Sequence, residues 1–181
     1  AAQTAFWFVF IWWVATTAQP AQSADDLKWF RGQLHAHSYW SDGRGFPEQA
    51  IDAYKQRGYH FLSLTEHNLF AEDTETWRKV ETKEGSWPPN VTQTMFDTYV
   101  QTYGTDWVET KTEGAVTTVR LKTYSEVKAK FEKPGNFILI PGVELTQSLD
   151  KRDVHLNYIN LPVVLPSIRK AGFIKSIRAP T

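Results

Sequence analysis

Residues 34–68, LHAHSYWSDGRGFPEQAIDAYKQRGYHFLSLTEHN, contain the order of elements that decides the fold. The stretch starts with the end of a predicted strand, and SDGRG has the composition of a turn. Residues 46–58 predict a helix, because Pro47 suits a first helical turn and Gly58 suits a left-handed cap. Residues 59–68 form an apolar run ending in polar groups, as in a buried parallel strand. A strand, a helix and a strand with short connections make a βαβ unit, so we expect an α/β fold.

The region after this unit, residues 69–134, is long, polar and rich in threonine and aromatic residues. Its patterns predict three elements: a helix at 92–103, a hairpin at 106–123 turning near Glu113 and Gly114, and a helix at 125–132. The region is too long for an ordinary connection, so we expect an inserted α+β cap. Its aromatic residues, among them Tyr99, Tyr103 and Trp107, are expected to form a small core of the insertion's own. Buried-strand patterns resume at 136–145 and 153–160.

The chain begins with an apolar run at residues 5–15, followed by small and polar residues. The run is too short to span a bilayer comfortably and matches the apolar core of a secretory signal. Small residues at 21–23 have the usual cleavage spacing. We therefore predict a signal peptide at residues 1–23, without its basic leading segment, and a secreted or periplasmic protein. An uncleaved anchor and a buried helix are the alternatives, and the leader is the only predicted membrane contact.

Composition narrows the classes of partner and ligand. The 181 residues include 20 Lys and Arg and 20 Asp and Glu, which gives zero formal net charge. A length of this order suits one domain with a sizeable core. A nucleic-acid partner usually requires a basic face, so we expect none. Because the chain has no cysteine, any metal site must be built from histidines and carboxylates.

Residues with metal-binding chemistry cluster near the ends of the predicted strands. His35 and His37 are two positions apart on the first strand, so alternation directs both side chains to one face. The carboxyl ends of parallel strands are where catalytic groups collect. Each residue alone also fits an ordinary structural role, and only their convergence predicts a site. The candidate ligands are His35, His37, Asp42, His67, Glu144 and His155. Imidazole mixed with carboxylate suits Zn, Mn or Fe better than Ca or Mg.

Four motifs in this sequence, HAHSYWSDG, LTEHN, PGVEL and DVHLNYIN, resemble the first motifs of the PHP family, the polymerase and histidinol phosphatase domain. The resemblance covers roughly residues 29–162, without the insertion. It implies a distorted (β/α)7 barrel over residues 24–162, with up to three metal ions at the carboxyl ends of the strands. The implied ligand sets are His35 and His37 on one ion, Glu144 bridging it to a second ion at His155, and Asp42 with His67 on a third.

The resemblance also implies an activity. Most members of the family are phosphoesterases, so it implies an exported hydrolase of a small phosphate ester that uses a metal-activated water as nucleophile. Arg44 is a candidate contact for the substrate anion, with a solvated charge as the alternative. The substrate could instead be a carboxylic ester, amide or carbamate, as in amidohydrolases. A non-catalytic metal-binding module is the remaining alternative.

Two departures from the family pattern limit these expectations. The family usually has Asp before the second-strand histidine, whereas this chain has Glu66, which we expect to orient His67 without binding an ion. Residues 161–181 contain no histidine or acid, although the family's later motifs supply both. We therefore interpret 163–181 as a basic tail, truncated or out of frame. One or two ions are expected, and activity from this chain alone is expected to be low or absent. An incomplete barrel also predicts low stability or association through an open sheet edge.

Overall fold

The structure, a computed structural model, describes residues 27–83, 89–149 and 152–161. The predicted signal peptide and basic tail lie outside these residues. The described part is a mixed α/β fold with three helices and three sheets, and none of these sheets closes into a barrel. The α/β class is thus observed, and the (β/α)7 barrel stays a prediction. No helix within the described ranges combines the length and apolarity needed to cross a membrane.

The described residues form three helices and ten strands. The helices are α1 (Pro47–Gln56), α2 (Gln93–Tyr103) and α3 (Tyr124–Phe131). The strands are β1 (Gly32–Gln33), β2 (Phe61–Leu62), β3 (Thr65–His67), β4 (Trp77–Glu81), β5 (Val91–Thr92), β6 (Thr110–Glu113), β7 (Val116–Arg120), β8 (Ile138–Leu139), β9 (Gly142–Leu149) and β10 (Arg152–Ile159).

Helix α1 confirms the predicted helix of the first βαβ unit. Pro47 occupies the first helical position, where its missing N–H costs nothing. The Gln49 side chain accepts a hydrogen bond from the Phe46 N–H at 3.0 Å, which satisfies a donor at the helix start. Gly58 has a φ of 73° and ends the helix region in the left-handed conformation. Ile51 is fully buried on the inner side of the helix.

Strands β1, β2 and β8 form a parallel sheet in that spatial order. Leu62 and Leu139 are buried on one face, where they join the core that contains residues of α1 and α3. The Tyr124 hydroxyl of α3 donates to the Leu139 carbonyl at 2.8 Å. Phe61 and Ile138 alternate with these leucines and lie on the opposite face of the sheet. There they line an open apolar groove of about 470 Å³.

The predicted second strand is divided into two, because its halves have different partners. β2 pairs within the first sheet, whereas β3 pairs in parallel with β9 in a second sheet. The register places His67 opposite Glu144. The first predicted strand is also shorter than expected: β1 ends at Gln33, and His35 and His37 lie on the segment that follows it.

The fourth predicted strand was expected to lie parallel to the others, and this expectation is wrong. β10 pairs with β9 in antiparallel register, with His155 opposite Thr146. Only two residues separate β9 from β10, and a parallel pair would need a crossover connection of roughly a dozen residues or more. His155 therefore reaches the site from the middle of a hairpin strand and not from the carboxyl end of a parallel strand.

The region predicted as an insertion contains the third sheet, in the order β5-β4-β7-β6. The predicted hairpin is confirmed, with Gly114 at a φ of 59° in its turn. Its aromatic residues do not form a separate core. The Tyr99 ring of α2 stacks on Phe46 at 3.6 Å between centroids, and both belong to one cluster with Ile51 of α1. The insertion is therefore packed directly against the first helix.

Candidate metal centre

All six candidate ligands lie in one part of the structure, where three overlapping groups could each hold a metal ion. Within each group, one ligand atom from every residue lies within 4.8 Å of the others. The groups are His35 with His37 and Glu144; His37 with Asp42 and His67; and His67 with Glu144 and His155. The expected convergence is thus observed, although the ligands come from a loop, parallel strands and a hairpin strand.

Glu144 on β9 lies at the centre of these groups. Its Oε2 lies 3.1 Å from Nε2 of His37 and 3.1 Å from Nδ1 of His67. Its Oε1 lies 2.7 Å from Nδ1 of His155. One carboxylate therefore contacts three imidazoles, as a carboxylate that bridges two ions would. The β3–β9 register and the β9–β10 hairpin together produce this arrangement.

The Oε2 atom of Glu144 is buried and has no hydrogen-bond partner among the described residues. The two imidazole nitrogens are close enough for attraction, but they do not meet it in hydrogen-bond geometry. A buried carboxylate oxygen without a partner is costly, because it has lost water without replacement. A cation between this oxygen and the two rings would compensate it. The residues present therefore fit a metal ion.

Asp42 closes the side of the site nearer the solvent. Its Oδ1 lies 3.2 Å from Nδ1 of His37, and its Oδ2 lies 3.4 Å from Nε2 of His67. The Asp42 side chain is 40% exposed and the His155 side chain is 43% exposed, whereas Glu144 is buried. The site thus has a buried carboxylate at its bottom and an accessible outer rim, which a small molecule could approach.

Four imidazoles form a continuous row across the site. The ring centroids of His35 and His37 are 4.7 Å apart, those of His37 and His67 are 4.7 Å apart, and those of His67 and His155 are 5.0 Å apart. Burial lowers the pKa of His37 because it disfavours the imidazolium, and the neighbouring histidines lower it further. Asp42 and Glu144 oppose this shift. A neutral imidazole is the form that binds metal.

Hydroxyl groups orient the imidazoles. The Thr65 Oγ1 lies 2.8 Å from Nδ1 of His35, which leaves Nε2 of that ring available to the site. A partner on the nitrogen that faces away from the site, such as Thr65, fixes the ring orientation of a metal-binding histidine. The Thr146 Oγ1 lies 3.4 Å from Nδ1 of His67, the same nitrogen that faces Glu144 Oε2. Neither threonine was predicted from the sequence, although Thr146 is two positions after Glu144 and alternation puts it on the same face of β9.

Glu66 accepts its hydrogen bonds from the loop that carries Asp42. The Ser38 N–H and Oγ donate to its Oε1 at 3.0 Å and 2.6 Å, and the Ser41 hydroxyl donates to its Oε2. Burial raises the pKa of Glu66 to about 7, while the hydrogen bonds from the two serines oppose that shift. These contacts tie the loop to β3, and Glu66 Oε2 also lies 4.0 Å from Nδ1 of His37. The expected role of Glu66 in orienting His67 stays a prediction. Arg44 is exposed in this loop, and its contact with a substrate anion stays a prediction.

Comparisons of the chain with protein-family models, with curated proteins and with solved structures return no match. The fold and the site therefore define the class of this protein at a general level, as a mixed α/β protein with groups of histidines and carboxylates that could hold metal ions.

Proposed function

We propose that this chain carries the first four motifs of a PHP-type, metal-dependent hydrolase, and that the substrate is a small phosphate ester. The observation that carries the proposal is the position of Glu144, a buried carboxylate in contact with three imidazoles and with one oxygen lacking a hydrogen bond among the described residues. The motif resemblance and the nitrogen–oxygen donor set support Zn, Mn or Fe as the metal.

A divalent ion held at such a site would activate a water as nucleophile and would offset the charge of phosphoryl oxygens. The protein's own residues would hold and arrange the ions. Glu144, His37 and His67 would hold an ion on the buried side, while Asp42 and His155 would hold one at the exposed rim. Because the rim is accessible, a small ester can approach from the solvent. No serine or cysteine nucleophile is required by this mechanism.

A second candidate is hydrolysis of a carboxylic ester, amide or carbamate. It is favoured by His35 and His37, which lie two positions apart and converge with Glu144, because the resemblance to strand-end histidine pairs of amidohydrolases would support this substrate class equally well.

The first test is ion binding by the metal-free protein, measured by calorimetry and by elemental analysis after loading with Zn or Mn. We expect one or two ions per chain. Glu144→Gln should weaken binding by more than the roughly 10- to 100-fold that loss of an outer partner costs. Glu113→Gln, in an exposed hairpin turn, is the matched control and should bind as the wild type does. A wild-type chain that takes up no ion contradicts the proposal.

The second test compares aryl phosphates with aryl esters, using the metal-loaded protein. Cleavage of phosphates that disappears in Glu144→Gln would support the phosphoesterase. Cleavage of esters alone would support the second candidate. Bound ions with neither activity would contradict catalysis by this chain and indicate a metal-binding module.

A further inference from the structure

The loop that carries Asp42 is held from two sides, and only one side belongs to the predicted metal motifs. Within the loop, the Tyr39 N–H donates to the Gly45 carbonyl at 2.8 Å, and the Ser41 N–H donates to the Ser38 carbonyl at 3.0 Å. Gly43 is required here, because a Cβ atom would lie 2.4 Å from the His37 carbonyl carbon. Glu66 binds the loop from the β3 side through the two serines.

The other side of the loop is held by Arg78, from strand β4 of the insertion. Its Nε donates to the Tyr39 carbonyl at 2.8 Å, and its Nη2 donates to the Trp40 carbonyl at 3.1 Å. The planar guanidinium presents donors in a fixed fork, so it fixes the positions of two successive carbonyls at once. These carbonyls immediately precede Ser41 and Asp42 in the chain.

Trp40 provides a second attachment to the insertion. Its indole N–H donates to the Lys122 carbonyl at 3.0 Å, just after β7, and the ring is almost completely buried. The same short loop thus contacts β4 and the segment just after β7. Both contacts involve backbone carbonyls, so they fix position without adding a ligand or a carboxylate to the site.

The environment of Arg78 is unfavourable for a cation. Burial of its side chain lowers the pKa of the guanidinium, and the charge of Glu66 opposes that shift. A half-buried cation near a site for divalent ions is electrostatically costly. Its hydrogen bonds to the loop offset that cost. This arrangement is explained if the role of Arg78 is to hold the loop in place.

We propose that Arg78 and Trp40 are positioning residues, through which the insertion fixes Asp42 and hence the group formed by His37, Asp42 and His67. The inference rests on the metal-binding part of the proposed function and does not depend on the substrate. It predicts that the insertion is part of the metal centre's support, with its effect limited to one of the three groups.

The test is ion binding by Arg78→Met, followed by Co²⁺ absorption spectroscopy to count ligand environments. One ion should bind about 10- to 100-fold more weakly, the size of effect seen when outer partners are lost. Arg78→Lys keeps the charge and one donor nitrogen but loses the planar fork, so it should restore part of the loss, and Trp40→Phe should weaken binding of the same ion. Lys79→Met is the matched control, since this exposed neighbour on β4 pairs only with Glu81 among the described residues.

A double-mutant cycle separates positioning from general destabilisation. If Arg78 acts through Asp42, Arg78→Met should add no further loss to Asp42→Asn, whereas it should add fully to His155→Ala in a different group. Additive effects with Asp42→Asn, or unchanged ion binding in Arg78→Met, would overturn the inference while the proposed function stands. If Arg78→Met does not fold, the same cycle is measured with Arg78→Lys and with Trp40→Phe, and the same outcomes support or overturn the inference. A wild type without ions would overturn both proposals.

Discussion

Glu48 is a fully buried carboxylate outside the metal centre, on helix α1. Its Oε1 accepts hydrogen bonds from the Tyr99 hydroxyl and the Trp107 indole, both at 2.7 Å. Its Oε2 is buried and has no hydrogen-bond partner in the described part of the chain. Burial raises the pKa of Glu48, and the hydrogen bonds and Lys122 oppose the shift without cancelling it.

This pKa makes stability depend on pH in a defined direction. Because the folded-state pKa lies above the ordinary value of 4.5, the contribution of Glu48 is complete at low pH and is lost as pH rises through the folded-state pKa. Glu48→Gln keeps an acceptor for Tyr99 and Trp107 but does not titrate. As pH rises from about 4.5 through the folded-state pKa, the unfolding free energy of the variant should therefore rise relative to that of the wild type.

Urea unfolding of the metal-free proteins at several pH values measures this difference. Glu113→Gln, whose side chain is exposed, is the control and should follow the wild-type profile. Parallel pH profiles for Glu48→Gln and the wild type would show that Glu48 is not the titrating group.

At the residue scale, the sequence predicted which metal-binding side chain types would converge, because histidines are few in this chain. Histidines and a carboxylate at alternating or motif positions were enough to select His35, His37 and Glu144, which the structure brings together, and their binding of an ion stays a prediction. The roles of Glu66 and Glu48 were not predictable in the same way. Their surroundings are set by residues distant in the chain, such as Tyr99 beside Glu48. The residue type alone does not predict which hydrogen-bond donors will surround a carboxylate in the folded chain.

At the scale of single elements, Thr92 stabilises the start of α2. Its Oγ1 accepts a hydrogen bond from the Met95 N–H at 3.3 Å, which satisfies a donor that the helix itself leaves free. Thr92→Ala should lower the unfolding free energy by about 1 kcal/mol. Thr94→Ala, on the exposed side of the first turn, should be neutral or slightly stabilising, because alanine is the better helix former. Thermal and urea unfolding check both, and equal losses would contradict the capping role.

The elements that could be predicted closely from the sequence are those whose signals depend on neighbouring residues. The starts of α1 and α2 and the turn at Gly114 depend on residues within a few positions of one another, so they were predicted closely. The division of the second strand into β2 and β3 depends on which distant strands pair with each half. The orientation of β10 was predictable in principle from its short connection to β9, but the family pattern directed attention to parallel strands.

At the scale of the whole molecule, the parallel sheet has an apolar face that the described residues leave open. Phe30 is 64% exposed and Ile138 is 42% exposed beside the groove on that face. Buried parallel sheets are normally covered on both faces. We therefore expect the chain to associate in a concentration-dependent way. Phe30→Ser with Ile138→Ser should weaken association about 100-fold or more, since each buried apolar side chain contributes about 1.5–3 kcal/mol.

Sedimentation velocity over a range of protein concentrations measures the association. Leu156→Ser changes a comparably exposed apolar residue on β10, away from this groove, and is the matched control. A wild type that stays monomeric at high concentration would contradict the expectation, as would equal weakening by Leu156→Ser.

The packing of the insertion against α1 is also a whole-molecule property, and the sequence did not reveal it. Its aromatic residues fit either a separate core or a shared one, since periodicity shows that a face is apolar but not what covers it. In the structure the insertion and α1 share one core, in which Tyr99 stacks on Phe46. Arg78 also ties the loop of Asp42 to the insertion.

The sharing of ligands among the three groups has a consequence for metal composition under the proposed function. His37, His67 and Glu144 each belong to two groups, so ions in neighbouring groups would lie close enough to repel one another strongly. Successive ions should then bind with decreasing affinity. In a medium that contains several transition metals, the first position would be filled by the strongest binder in the Irving–Williams order, and later positions would exchange readily. A single protein molecule would then hold different metals side by side, in proportions that follow its surroundings.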